Sequence, residues 1–265
     1  MSEGRESQLK EPLSTMQALS TNPALDVAAL AEAYQARKRI QIREFLSRDS
    51  AQQAHADLEA LPWGLVYNEG PRVVQLHAHA LAQLSEREAV PIMAGIRERA
   101  RDQYQFLYAF YPVLTAYFSP QVARHGIFQL FELINSEAVL DTIRRITGLT
   151  HIRWADGQAT WYKPGHFLKA HTDEEAATGR VAAYVMNLSP VWERDWGGFL
   201  QFFDAHDNIE EAFKPSFNTL NLFTIPQMHS VSMVSTYVTE KRIAMTGWFR
   251  SDDPPGPIGA AAGDS

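Results

Sequence analysis

No cysteine occurs in the 265 residues. That excludes disulfides, thiolate metal sites and cysteine nucleophiles. No apolar run approaches the ~18 residues that a membrane-spanning helix needs. Basic residues are outnumbered, 24 Lys and Arg against 31 Asp and Glu, for a formal net charge of −7. A negatively charged chain is a poor non-specific binder of nucleic acid, so neither nucleic acid nor a membrane is expected as a partner. The stretch from Met1 to Ser14 lacks the apolar segment of a signal peptide, and the expected compartment is cytoplasmic. What is present is a hydrophobic share of 45%, with 11% aromatic. This is enough apolar material for a large core.

Residues 1–24 read as a mobile tail. A helix over about 26–38 follows, with Asp26 as N-cap and apolar Val27, Leu30, Ala31 and Tyr34 on one side. Residues 39–43 alternate polar and apolar, as a half-buried strand does. Ser47 caps a second helix to about residue 60, ahead of Pro62. Residues 65–67 and 73–76, on either side of Gly70-Pro71, form a hairpin pattern. Ser85 and Glu88 form a capping-box pattern for a helix to about Tyr108, in which Pro91 marks either a kink or the true first turn. The aromatic residues from Tyr104 to Phe118 read as core packing. A helix from Asn135-Ser136 stops at Gly148.

From His151 the pattern changes to short strands, at about 152–154, 159–162, 167–172, 181–187, 199–203, 219–223, 230–234 and 242–249. Turn residues separate them, which suggests a sandwich or barrel. Strands of the first half are expected to extend these sheets, giving one domain over 25–252, helix-rich to 150 and strand-rich over 151–250. Residues 253–265 read as a disordered tail.

His171-Thr172-Asp173 lies at the end of one predicted strand. Residues two apart on a strand share a face, so an imidazole and a carboxylate project together. His55-Ala56-Asp57 has the same spacing on a predicted helix, where i and i+2 diverge by about 200° and cannot chelate one ion. His77-Ala78-His79 has no acidic partner in register. His229 opens a later strand. Arg242 lies in an otherwise apolar strand, where a buried guanidinium needs an anionic partner such as the far carboxylate of a 2-oxo acid. Two imidazoles and one carboxylate suit Fe(II) and leave open coordination positions.

With these residues in view, the stretch 162–249 resembles the Fe(II)/2-oxoglutarate-dependent dioxygenase superfamily and its prolyl-hydroxylase-like group. The likeness rests on Tyr162-Lys-Pro-Gly165 ahead of His171-x-Asp173, on Trp196-Gly-Gly198 leading to Phe202-Phe203, and on His229 with Arg242-x-Ala-x-Thr-x-Trp-Phe249. It implies an α+β fold, a double-stranded β-helix (jelly roll) with N-terminal helices packed on one sheet. It implies His171, Asp173 and His229 as iron ligands and as the catalytic set, and Arg242 as the 2-oxoglutarate clamp. Tyr162, Tyr184 and Asn187 match positions near the cosubstrate, with either Tyr184 or Asn187 facing it. Trp248 matches an aromatic residue beside the metal.

The implied activity is hydroxylation of a prolyl residue in a protein or peptide. It uses Fe(II), 2-oxoglutarate and O2, with ascorbate as a stimulant, and releases succinate and CO2. Two alternatives stay open: the same chemistry on a free amino acid or other metabolite, and a non-enzymatic module that binds a metal or ligand. The loops at 189–197 and 204–216 could act as a lid in either enzyme reading.

Overall fold

The computed structural model describes residues 18–173 and 179–259. Helix α1 (Val27–Arg37) begins where the Asp26 carboxylate accepts from the Ala29 amide at 3.0 Å, as an N-cap should. Strand β1 (Arg39–Arg43) follows at once. Helix α2 (Arg48–Glu59) is capped by the Ser47 hydroxyl, which accepts from the Ser50 amide. Strands β2 (Gly64–Glu69) and β3 (Arg72–Leu76) form an antiparallel hairpin that turns at Gly70, φ 60. Helix α3 (Ala78–Gln83) precedes α4 (Glu86–Arg99), where the Ser85 amide donates to Glu88 in the expected capping box. Pro91 lies inside α4.

The helix predicted to reach Tyr108 stops at Arg99. Phe106–Tyr111 is strand β4, bonded to β2 on one side. Its side chains are buried on both faces, so the hexapeptide shows no alternation, and a run of apolar residues fits a helix pattern as well as a buried strand. Helices α5 (Val113–Tyr117), α6 (Ile127–Ile134) and α7 (Glu137–Thr147) follow. Helix α7 runs from its Ser136 cap to Gly148, which takes the left-handed conformation at φ 78.

The second half is the strand ladder that the sequence predicts. It comprises β5 (Trp154–Ala155), β6 (Gln158–Tyr162), β7 (Phe167–His171), β8 (Arg180–Asn187), β9 (Leu200–Phe203), β10 (Ile209–Phe213), β11 (Thr219–Thr224), β12 (His229–Val231) and β13 (Arg242–Arg250). Strand β10 falls inside the stretch 204–216 that the sequence reads as a loop; it pairs with β9.

All strand pairings are antiparallel. The order β1-β11-β8-β13-β6 makes a large sheet and β7-β12-β9-β10 a small one. Strand β4 bonds to both β6 and β7 and joins the two sheets along one edge. The fold is a jelly roll, nearly closed, with α1, α2 and α5–α7 on the outer face of the large sheet and α3 and α4 against the β2–β3 hairpin. Strand β1 from the first half extends that sheet through β11.

The two faces of the large sheet differ. Ile243, Met245 and Phe249 of β13, with Tyr184 and Met186 of β8, enter the main core beside Tyr34, Leu58, Phe131 and Ile143 of the helices. The alternate residues of the same strands look toward the small sheet.

Both terminal expectations need adjustment. Residues 1–17 and 260–265 lie outside the described residues. Within the expected N-terminal tail, Ser20 and Asn22 are bonded to the chain after β1: Asn22 N donates to Phe45 O at 2.9 Å, and Ser47 N to Ser20 O at 3.0 Å. At the other end Ile258 packs against the helical core, and Gly259 N donates to the Tyr117 hydroxyl at 3.1 Å.

Candidate metal centre

His171 is the last residue of β7 and His229 the first of β12. They are register partners in an antiparallel ladder, and their ring centroids lie 4.2 Å apart. The strand expected to carry both His171 and Asp173 ends at His171. Asp173 reaches the same space by a left-handed turn, φ 59, which is uncommon for a residue with a side chain. Its carboxylate then lies between the imidazoles. Asp173 Oδ1 is 3.1 Å from His171 Nε2, and Asp173 Oδ2 is 3.4 Å from His229 Nε2. One donor atom from each residue falls within 4.8 Å of the others, and no second such group exists among the described residues.

The surrounding hydrogen bonds prepare these atoms for a metal. His171 Nδ1 lies 2.9 Å from Lys169 O and His229 Nδ1 lies 2.8 Å from Gln227 O. A carbonyl only accepts, so each Nδ1 carries the proton and each Nε2 presents its lone pair toward Asp173. The Trp248 indole N–H donates to Asp173 Oδ2 at 3.1 Å. Burial raises the Asp173 pKa; imidazoles carrying a proton on Nε2 as well would outweigh it and hold the carboxyl well below the usual range, as would a cation among the three residues. Gln227 is itself fixed by Arg39, whose guanidinium donates to the Gln227 carboxamide oxygen at 3.0 Å and to Glu211 at 2.7 Å. Strand β1 thereby braces the segment that orients His229.

The space beside the three residues is a cavity between the sheets, lined also by Arg242, Tyr162, Trp248 and Thr160. Arg242 is 2% exposed. Its Nε donates to Gly198 O at 2.5 Å, and its guanidinium carbon lies 4.5 Å from the centre of the Tyr162 ring. No carboxylate lies within ion-pair distance of Arg242 among the described residues. Burial draws its pKa down to about 10, against the opposing effect of Tyr162, so it stays charged near neutrality. Gly198 is required here, because a Cβ would sit 2.8 Å from Arg242 Cδ on a backbone already at φ 68. Thr160 Oγ1 is buried, lines the cavity and has no hydrogen-bond partner. An unpaired buried cation and an orphan hydroxyl in one cavity match an anionic ligand with hydrogen-bonding oxygens.

Two expected neighbours of the cosubstrate behave differently. The Tyr184 ring packs at a tilt on Phe249 at 5.2 Å and its hydroxyl donates to Asp156 O at 2.8 Å, so the side chain lies in the helix-side core although the residue also borders the cavity. Asn187 faces inward but does not line the cavity; its Nδ2 is bonded to Thr219, and its Oδ1 is buried without a partner. The His55 ring nitrogen Nδ1 is bonded to Leu188 O at 2.9 Å, and the Asp57 carboxylate accepts from Gln53, so that pair makes no metal site.

Sequence reasoning missed Tyr104, Phe106 and Tyr108, which line the cavity from β4 and the turn before it. The Tyr108 ring stacks on Tyr162 at 5.1 Å and Tyr104 packs on the His171 imidazole at 5.5 Å. The signal was the two-residue spacing of the aromatic residues at 104, 106 and 108, the period of a strand face rather than of a helix, even though Leu107 and Ala109 hide any polar–apolar alternation in β4.

Comparison with known proteins agrees with this geometry. Residues 157–250 match the model of the 2OG-Fe(II) oxygenase superfamily. A 114-residue stretch, 40% of the chain, is 29% identical to the Mus musculus prolyl 3-hydroxylase OGFOD1, of whose length it covers 20%. Two solved structures share the fold. The Pseudomonas putida prolyl-4-hydroxylase superposes with a TM-score of 0.52 at 18% identity, over 86% of this chain and 100% of that one. A Trichoplax adhaerens prolyl hydroxylase, solved with a hypoxia inducible factor oxygen degradation domain peptide, gives 0.55 at 14% identity, over 85% and 89%. The stretch that carries His171, Asp173, His229 and Arg242 is thus the part of the chain that is similar to the 2OG-Fe(II) oxygenase superfamily.

Proposed function

We propose that the protein is an Fe(II)- and 2-oxoglutarate-dependent dioxygenase that hydroxylates a prolyl residue of a polypeptide. The observation that carries the reading is a three-residue ligand set that shares one cavity with a buried, unpaired arginine. His171, Asp173 and His229 would hold the iron. Arg242, with Tyr162 stacked on it, would grip the distal carboxylate of 2-oxoglutarate through the guanidinium nitrogens that Gly198 leaves free. Thr160 would offer its hydroxyl to the same ligand. Bound iron, 2-oxoglutarate and O2 supply the C–H oxidation, with one 2-oxoglutarate split to succinate and CO2 for each oxygen inserted.

The chain's own residues do the remaining work. Trp248 and the two carbonyls fix the ligand atoms. The aromatic wall of Tyr104, Phe106 and Tyr108 excludes water and gives an apolar ring a face to lie on. The polypeptide part of the reading draws on the prolyl hydroxylases among the relatives, while the site itself favours any compact apolar group.

The test is succinate formation from 2-oxoglutarate with added iron, together with a gain of one oxygen in proline-containing peptides. Asp173→Ala removes the carboxylate that both imidazoles share. Iron affinity is expected to fall more than about 100-fold, beyond the loss of an outer-shell partner, and succinate formation with it. An Asp173→Ala protein that binds iron and forms succinate like the wild type overturns the assignment. Oxidation of free proline but of no peptide moves the substrate to the metabolites.

A further inference from the structure

Gln158 sits at the boundary between the main cavity and a second one. It lines both, as do Thr246 and Trp248. The second cavity runs outward between β6, the end of β4 and α5, past Phe110, Pro112, Leu114 and Thr115. Gln158 and Thr246 are register partners on β6 and β13, so their side chains lie side by side on the cavity face. The Gln158 carboxamide has four hydrogen-bonding sites. Among the described residues its one partner is the Tyr108 hydroxyl, at a long 3.4 Å. Asp156, the acid of the second cavity, is already engaged. Its Oδ1 accepts from Trp248 N at 2.7 Å and its Oδ2 pairs with Arg250 at 3.2 Å. The second cavity therefore offers partly apolar walls with neutral polar groups, Gln75 and Thr115 within it and the sparsely bonded Gln158 carboxamide at its boundary with the first, and no free charge.

Resting on the polypeptide reading above, we propose that this second cavity takes the substrate residue next to the hydroxylated one, and that the Gln158 carboxamide hydrogen-bonds the substrate main chain between the two. The chemistry matches. A prolyl residue has no N–H, so the groups left for recognition are the carbonyls around it and the amide of the residue that follows. A carboxamide can donate to the first and accept from the second. A lone amino acid leaves the second cavity unfilled; an extended chain occupies both.

The test compares two probes, N-acetylpyrrolidine, which keeps the ring but lacks the prolyl carbonyl and the following N–H, and an acetylated five-residue library randomised around a central proline, with oxidation read as added oxygen by mass. The library is expected to be oxidised more efficiently than N-acetylpyrrolidine. Gln158→Ala is expected to lower kcat/KM for the library by roughly 3- to 10-fold, the worth of a neutral hydrogen bond, and for N-acetylpyrrolidine by less than about twofold. Thr115→Trp, an exposed change on α5 that fills the second cavity without touching the first, is expected to show the same selectivity. Equal losses on both probes, or none on either, overturn the subsite while leaving the polypeptide reading in place. Succinate formation without oxidation of any library member overturns the polypeptide reading and the subsite with it.

Discussion

The two faces of the large sheet are built by the same strands to opposite ends. Along β13, Ile243, Met245 and Phe249 point to the helices and are all but inaccessible, in a core of Ile, Leu, Phe and Met side chains. Arg242, Thr246 and Trp248, at positions of the opposite parity, point to the small sheet and line the cavity. On β6 the alternation repeats, with Ala159 packed in the helix-side core and Gln158, Thr160 and Tyr162 in the cavity. One face satisfies packing. The other leaves a buried cation without a counter-ion and a buried hydroxyl without a hydrogen-bond partner, a local cost that makes sense where a ligand is to supply what is missing. A residue's parity on these strands thus separates stability from function.

That comparison can be broken. The largest expected effect is on the packed face. Ile243→Ala opens a cavity in a fully buried core and should destabilise the fold by about 2–5 kcal/mol, read in urea unfolding. The Michaelis constant for 2-oxoglutarate should hold in the fraction that remains folded. One strand position away, Arg242→Met should do the reverse. It removes a two-pronged, charge-assisted contact, so KM for 2-oxoglutarate should rise on the order of 100-fold. It also removes a buried unpaired charge, so the ligand-free protein should unfold at higher denaturant than the wild type. An Arg242→Met protein that is less stable, with KM unchanged, makes that arginine an ordinary structural residue. The smallest effect sharpens the boundary. Trp248→Phe keeps the ring but loses the N–H to Asp173, and iron affinity should drop about 10-fold, measured by chelator competition, with little change in unfolding.

The sequence shows the ligand residues and the strand ladder because both depend on local pattern. His171, Asp173, His229 and Arg242 stand out as polar residues at or within short apolar runs, and Asp26, Ser47, Ser136 and Gly148 mark helix ends by capping chemistry. What it hides depends on contacts far apart in the chain. Strand β4 is buried on both faces between β2 and β6, so its residues lose the alternation that would identify them, and the pull toward a helix continuing from α4 wins. Tyr184 and Asn187 differ by an odd number of positions, so they fall on opposite faces, and a one-residue shift of register exchanges them. Only the hydrogen bonds of β8 to β11 and β13 fix which one turns to the helices. Asp173 joins the imidazoles through a left-handed turn, a feature that residue type alone does not announce.

The proposed metal ligands and the arginine belong to different sheets. His171 and His229 ride on β7 and β12, Arg242 on β13, and β4 is the strand that bonds the two layers along one side. On the reading proposed above, a dicarboxylic acid reaching from the ion to the guanidinium would be a cross-tie through the sandwich, and the thickness of the sandwich would be the gauge that selects its length. The free protein would be a book held by its spine; the loaded one is clasped at the fore-edge as well.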